Sequence, residues 1–460
     1  MTVRTWEATC SSTFLPSTAN DAGASIQFPH KKLQLLSPNL SASDIRSSSE
    51  IQTSPPTSQE NSFSSPRSNF SIQSLPSVPS LQSICSETTH NNVSVSYLCV
   101  SILKPQTHRP ISCLAVYGDL LYAASGDEIN VYTLTNYQHI DTFNGKDPSS
   151  GSVKSVTFGE GKVFTAHLDC KIRVWLTTPE KHHRLVATLP TVKDRLRRLV
   201  IPKNYVRVRR HKKRLWIEHF DAVSGLSMTD GLLYSVSWDK SLKIWRTSNL
   251  RCLESVKAHD DAVNAIAVSD DGTVYTASAD RRIRVWGRAG ETKRHELIAT
   301  LDKHQSAVNA LVLSSDGSTL FSGAGDRSIL VWEREDSVNH MGVIGALRGH
   351  KGAILCLINV SDVLVSGSED RTVRIWRRGV DQGYICLVEL KGHERPVKSL
   401  VAVMEGIGTV SPPPSVTTIS VCSGSLDGEI RVWEVTVPNV KATSSSFTSE
   451  SDLTDAVLDS

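Results

Sequence analysis

The chain has 460 residues, with 50 Lys and Arg against 47 Asp and Glu, so its net charge of +3 gives no global pull toward nucleic acid or an anionic surface. No stretch approaches the roughly 18 consecutive apolar residues of a membrane-spanning helix. The nine cysteines (Cys10, Cys85, Cys99, Cys113, Cys170, Cys252, Cys356, Cys386 and Cys422) are scattered and never form a C-x-x-C pair, which points to reduced thiols in an intracellular protein. The start lacks an apolar secretory segment, and Glu7 and Asp21 speak against a plastid transit peptide.

Residues 1–93 are rich in Ser, Pro, Thr, Asn and Gln without sustained periodicity, and are expected to be disordered. Ser37-Pro38, Ser54-Pro55 and Ser65-Pro66 fit proline-directed phosphorylation, although such pairs are common in any disordered tail. One stretch is less bland. Ile72, Leu75, Val78 and Leu81 are spaced to dock in a groove, on this protein or on a partner. Ser96-Tyr97-Leu98-Cys99-Val100-Ser101-Ile102-Leu103 then reads as a strand with no local hairpin partner.

From there one phrase recurs: an Asp, a polar stretch, an aliphatic–x–aliphatic step and an aromatic. It begins imperfectly at Asp127 with Ile129-Asn130-Val131-Tyr132. It returns at Asp169 with Trp175, Asp239 with Trp245, Asp280 with Trp286, Asp326 with Trp332, Asp370 with Trp376 and Asp427 with Trp433. A base period of about 40–45 residues with this ending marks four-stranded propeller blades. The expected fold is all-β: one seven-bladed β-propeller over residues 94–437, with a basic insert at 190–218 and a loop insert at 404–416. A disordered acidic, Ser-rich tail is expected at 438–460. The last unit has strands near 397–403, 417–423 and 429–435 but no fourth. The N-terminal strand is its natural donor, which would join the chain ends and remove an open sheet edge. The ring is expected to be a monomer.

The units resemble WD40 repeats. In that family an Asp, a loop His, a Ser or Thr and the Trp form one hydrogen-bonded chain per blade. The resemblance implies such structural tetrads at Asp239, Ser235, His219 and Trp245; Asp280, Thr276, His259 and Trp286; Asp326, Ser322, His304 and Trp332; and Asp370, Ser366, His350 and Trp376. His108, Thr165, His393 and Ser423 occupy matching positions in other blades. Two blades depart: blade one has Ala123 for the Ser/Thr and Tyr132 for the Trp, and blade two has Asn144-Gly145-Lys146-Asp147 where Gly-His should fall. These two are expected to be weaker. The insert from Leu189-Pro190-Thr191-Val192 to Arg214-Leu215-Trp216, and Leu75-Pro76-Ser77-Val78-Pro79-Ser80-Leu81, are similar to the plant WD40 group named for JINGUBANG. That resemblance implies a non-enzymatic regulator of plant growth or development acting through protein partners.

Ser, His and Asp recur once per blade at structural spacing and without a G-x-S-x-G elbow, so a hydrolase is not expected. No metal or cofactor site is expected, because the histidines lie on different blades and no cysteine pair supports them. By resemblance, partners bind the propeller mouth, which should carry Trp238, Lys398, Glu369, Lys154, Asn264 and Asn309. Trp238 is the odd aromatic in a polar turn. The insert concentrates Arg207, Arg209, Arg210, Lys212, Lys213 and Arg214. It reads first as a solvated blade extension with some partner role. In that reading Val192, Leu196, Leu199, Val200, Ile201, Tyr205, Val206 and Val208 pack beneath the charges. It reads second as a nuclear import signal, with an anionic membrane surface or an acidic peptide also weighed, and third as a direct nucleic-acid contact. The expected role is an intracellular scaffold in the cytoplasm, the nucleus or both. The alternatives are a nuclear co-regulator that binds a transcription factor and a ubiquitin-ligase substrate receptor.

Overall fold

The computed structural model describes residues 78–82, 95–145, 148–209, 211–289, 294–334, 341–379, 383–404 and 416–438. The Ser-Pro pairs, the triproline loop insert and the acidic tail beyond residue 438 lie outside the described residues. Within them, seven four-stranded antiparallel sheets and one small hairpin account for the strands.

Blade four shows how sequence sets burial. Its strands run outward as Val263–Val268, Val274–Ser278, Ile283–Ala289 and Arg294–Leu301. The innermost, Val-Asn-Ala-Ile-Ala-Val, is apolar almost throughout because neighbouring blades cover both of its faces. The outermost is mostly exposed, with only His295 and Leu301 buried and Ala299 half-buried, as a strand at the rim with one partly covered face should be. Innermost strands adjoin one another around the ring: Ile111–Tyr117 beside Val153–Gly159, then Val223–Thr229, Val263–Val268, Val308–Leu313, Ile354–Val360 and Val397–Met404. The last lies again against Ile111–Tyr117.

Side chains stitch each blade to the next. Ser112 Oγ donates to Val153 O at 2.6 Å, Asn264 Nδ2 to Val308 O at 3.1 Å and Asn309 Nδ2 to Ile354 O at 3.0 Å. The ring closes as expected. Ser96–Leu103 pairs antiparallel with Ile430–Pro438, from Ser96 opposite Thr436 to Leu103 opposite Ile430, and completes blade seven.

Part of the segment expected to be disordered is instead held on the ring. Val78–Gln82 crosses from the outer strand of blade five to that of blade six. Ala346 N donates to Pro79 O at 2.9 Å, Leu81 N to Ala346 O at 3.0 Å and Tyr384 N to Leu81 O at 2.8 Å. Arg348 donates to Val78 O at 3.0 Å, and Gln82 Nε2 donates to Arg348 O. Val78 joins the core cluster of blades four and five, while Leu81 packs on that of blades five and six. Gly345 makes the approach possible, since a Cβ there would lie 2.3 Å from Leu81 Cγ. Gly345→Ala is therefore expected to expel the segment and speed chymotryptic cleavage beside Leu81 by tenfold or more. An unchanged cleavage rate would contradict this seating.

Candidate partner-binding mouth

The tetrads can be read donor by donor. Trp245 Nε1 only donates, so at 2.9 Å Ser235 Oγ accepts from it. Ser235 Oγ then donates a hydrogen bond to His219 Nε2 at 2.9 Å, which leaves Nδ1 to carry the ring hydrogen and donate to Asp239 Oδ2 at 2.8 Å. The imidazole is thus neutral. Burial lowers the His219 pKa by more than the Asp239 carboxylate raises it. Burial alone would raise Asp239, but the His219 ring, Ser241 and Lys243 hold it well below the usual carboxylate range. The same chain joins Trp286, Thr276, His259 and Asp280. It recurs at Trp332, Ser322, His304 and Asp326, and at Trp376, Ser366, His350 and Asp370. Trp433, Ser423, His393 and Asp427 complete it in blade seven. Ser235, Thr276, Ser322 and Ser366 are fully buried, so none is placed to attack a substrate.

Blades one and two solve the problem differently. His108 is exposed with a φ of 48°, and Arg109 rather than a buried His holds Asp127. In blade two the histidine comes from within the strand: His167 Nε2 meets Thr165 Oγ1 at 2.7 Å, and Trp175 donates to the same hydroxyl at 2.9 Å. Asp169 pairs with Arg173 at 3.0 Å instead. His167, two residues after Thr165, was the available signal.

Each tetrad Asp also accepts the backbone N–H that follows its His: Phe220, Asp260, Gln305, Lys351 and Glu394, at 2.8–3.2 Å. The turn before each Asp is tied to the start of its blade, as in Trp238 N to Ala222 O at 3.0 Å and Glu369 N to Ala353 O at 2.9 Å. Loop and turn are thereby fixed on one face. Of the six residues expected there, Glu369 is exposed and Trp238 half-buried. Lys154, Lys398, Asn264 and Asn309 are buried, which corrects their expected display. The cause is a β-bulge at each of these positions, where the register shifts between Val153 and Ser155, Val263 and Ala265, Val308 and Ala310, and Val397 and Ser399. A bulge re-aims its side chain, and the two Asn amides meet the next blade's carbonyls. Burial, with the Lys398 charge nearby, lowers Lys154 to about 8. Its Nζ lies 5.7 Å from the Trp238 ring centroid, so that indole leans toward blade two while its buried Nε1 makes no hydrogen bond.

Phe220 was missed. It is 41% exposed and stands where other blades carry Asp260, Gln305, Lys351 and Glu394. Blade three alone among these puts an aromatic both after the His and before the Asp.

The insert forms a helix, Val192–Leu199, and a hairpin of Tyr205–Arg209 with Lys212–Leu215. Arg210 and the side chain of Arg209 lie outside the described residues. Arg207, Lys212 and Lys213 are exposed, while Arg214 donates to His219 O at 3.2 Å. The expected apolar underside is corrected. Val192, Leu196, Leu199, Val200, Ile201 and Val206 are exposed, Val208 is half-buried, and of the eight only Tyr205 packs on a core cluster, that of blades two and three. The helix turns Asp194 and Arg198 inward because the edge of blade three's outer strand needs partners: Cys252 N donates to Asp194 Oδ2 at 3.3 Å, and Arg198 donates to Cys252 O at 3.2 Å.

Donor atoms of His393, Asp427 and Glu429 lie within 4.8 Å of one another. They are already engaged, His393 with Asp427 in the tetrad and Glu429 with Lys104 and Arg431. No disulfide links the described cysteines, and burial pushes the Cys252 and Cys422 thiols up to about 12. No described helix is long and apolar enough to cross a membrane.

The family model described as "WD domain, G-beta repeat" matches residues 211–246, 250–287, 295–333, 342–377 and 384–434, blades three to seven. An uncharacterized WD repeat-containing protein of Schizosaccharomyces pombe is 24% identical over 45% of this chain and 53% of its own. Protein Notchless of Drosophila melanogaster is 29% identical over 36% of this chain and 32% of its own. The chain thus spans between about a third and about half of these relatives. The WD40 beta propeller domain of Doa1 superposes with a TM-score of 0.53 at 19% identity, covering 74% of this chain and 97% of that one, which bears on the fold alone.

Two outcomes follow from the tetrad. Ser235→Ala strips partners from Trp245 and His219 together, and is expected to cost about 1–3 kcal/mol in urea unfolding. Stability should also fall with acid. His219 and His393 have folded pKa values below the unfolded value of about 6.5, so the folded chain binds fewer protons as pH drops through that point, and carboxylates such as Asp239 add a second loss below about pH 4. The melting temperature should decline from about pH 6.5 downward, and a flat profile to pH 5 would contradict the neutral buried histidines.

Proposed function

We propose that the chain is a WD40-repeat protein, as the family match over blades three to seven supports, and that it is a non-enzymatic scaffold whose mouth, at blade three, binds protein partners. One observation carries the reading: Phe220 and Trp238 both stand on backbone fixed by Asp239 and Ala222. Aromatic side chains held on a rigid platform suit interface anchors, because little conformational freedom is lost when a partner covers them. Exposed Glu369, on the same face but in blade six, favours a partner that also carries a cation. The similarity of the insert and of residues 75–81 to the plant JINGUBANG group supports a regulatory role in plant growth or development. In this reading a monomeric ring works in the cytoplasm, the nucleus or both.

Proximity labelling in plant cells tests this with the wild type, a Phe220→Ala/Trp238→Ala double variant and Leu185→Ala on blade two's outer strand as control, all shown to melt alike. The double variant is expected to lose a discrete set of neighbours that the control keeps. A transcription factor in that set would refine the role to nuclear co-regulator, and ligase subunits would refine it to substrate receptor. An unchanged neighbour set would overturn the choice of site.

A further inference from the structure

The helix Val192–Leu199 is inside out. Residues spaced three and four apart share a helix face, so Asp194 and Arg198 form one row and Val192, Leu196, Leu199 and Val200 form the opposite one. The polar row faces the propeller. Asp194 is 1% exposed and paired with Arg198 at 3.2 Å, and the Arg198 guanidinium lies 4.5 Å from the Trp216 ring centroid. The apolar row faces out, at 73% for Val192, 60% for Leu196, 52% for Leu199 and 84% for Val200. Such exposures belong to a convex surface, because a groove would shade its own lining.

Charge decides what covers it. Lys193 and Arg197 form the next row on the helix, and Lys203, Arg207, Lys212 and Lys213 follow on the turn and the hairpin, all exposed. Among the described residues the helix forms ion pairs at Arg195 with Glu218 and Arg198 with Asp194, while those six cations are exposed. Its acidic residue, Asp194, points inward. A nucleic-acid backbone would use the cations but has no place for four exposed aliphatic side chains. An acidic peptide would call for a cleft. An interfacial helix presents this combination instead: aliphatic side chains entering the acyl boundary, cations at the headgroups.

We propose that Val192, Leu196, Leu199 and Val200, flanked by Lys193 and Arg197, form a docking surface for an anionic phospholipid bilayer. The surface is distinct from the mouth and does not depend on the scaffold reading. It would hold the ring on a membrane by blade two's insert while blade three remains available.

Flotation of the full chain with phosphatidylcholine vesicles, with and without about 30 mol % phosphatidylserine, tests this. Leu196→Ser/Val200→Ser and Lys193→Gln/Arg197→Gln change exposed side chains only, and melting should show both variants folded. The wild type is expected to float with the anionic vesicles alone and to be released by high salt, with both double variants about tenfold weaker. Failure of the wild type to float overturns the proposal. So does full retention by Leu196→Ser/Val200→Ser, which would reduce the contact to charge alone. Loss of protein neighbours by these variants, with no vesicle binding by the wild type, would assign the surface to an acidic protein instead.

Discussion

An ionised carboxylate inside a β-propeller is stable only if it is fully hydrogen-bonded, and that requirement organises this ring. Asp239 and its four counterparts each accept a hydrogen bond from a histidine ring nitrogen, one from the backbone N–H after that histidine, and others from their own turn. The imidazole in turn needs the Ser or Thr hydroxyl, and the hydroxyl needs the Trp N–H. Four side chains from different strands and a loop are thereby held in one register. What looks like decoration of each blade is the reason its loop and turn stand still, and so the reason one face can carry a recognition surface.

The rest of the molecule shows what happens where that chain lapses or a sheet edge remains. Blade one replaces it with a half-exposed Arg109–Asp127 pair, and blade two recruits His167 from within its own strand. Edges are covered by whatever is at hand. The N-terminal strand closes blade seven, Val78–Gln82 bridges the outer strands of blades five and six, and the inverted helix caps Cys252 on blade three. That last contact uses the polar side of the helix, which leaves its aliphatic row outside.

Much of this was legible in the sequence. The recurring Asp-to-aromatic phrase located the blades, the missing fourth strand of the last unit called for a donor near residue 96, and the recurring His and Ser/Thr located the tetrads. The remainder depended on features with no local signature. Nothing in Val263-Asn264-Ala265 announces a bulge, so Asn264 reads as a mouth residue when it is a cross-blade staple. The aliphatic residues at 192–201 read as the packed underside of a blade extension, because sequence pattern does not reveal a helix whose polar row a neighbouring strand edge will claim for contact. Phe220 was legible but only by comparison across blades, where it replaces a polar residue.

The central claim is that the buried polar chain immobilises the mouth. Amide hydrogen exchange of the full chain tests it at the N–H groups of Phe220, Asp260, Gln305, Lys351 and Glu394, which lie in loops yet donate to tetrad carboxylates. The account predicts strand-like protection at all five, and fast exchange at Arg109 in blade one, which lacks the buried His. Loop-like exchange at the five, or equal protection at Arg109, would contradict it.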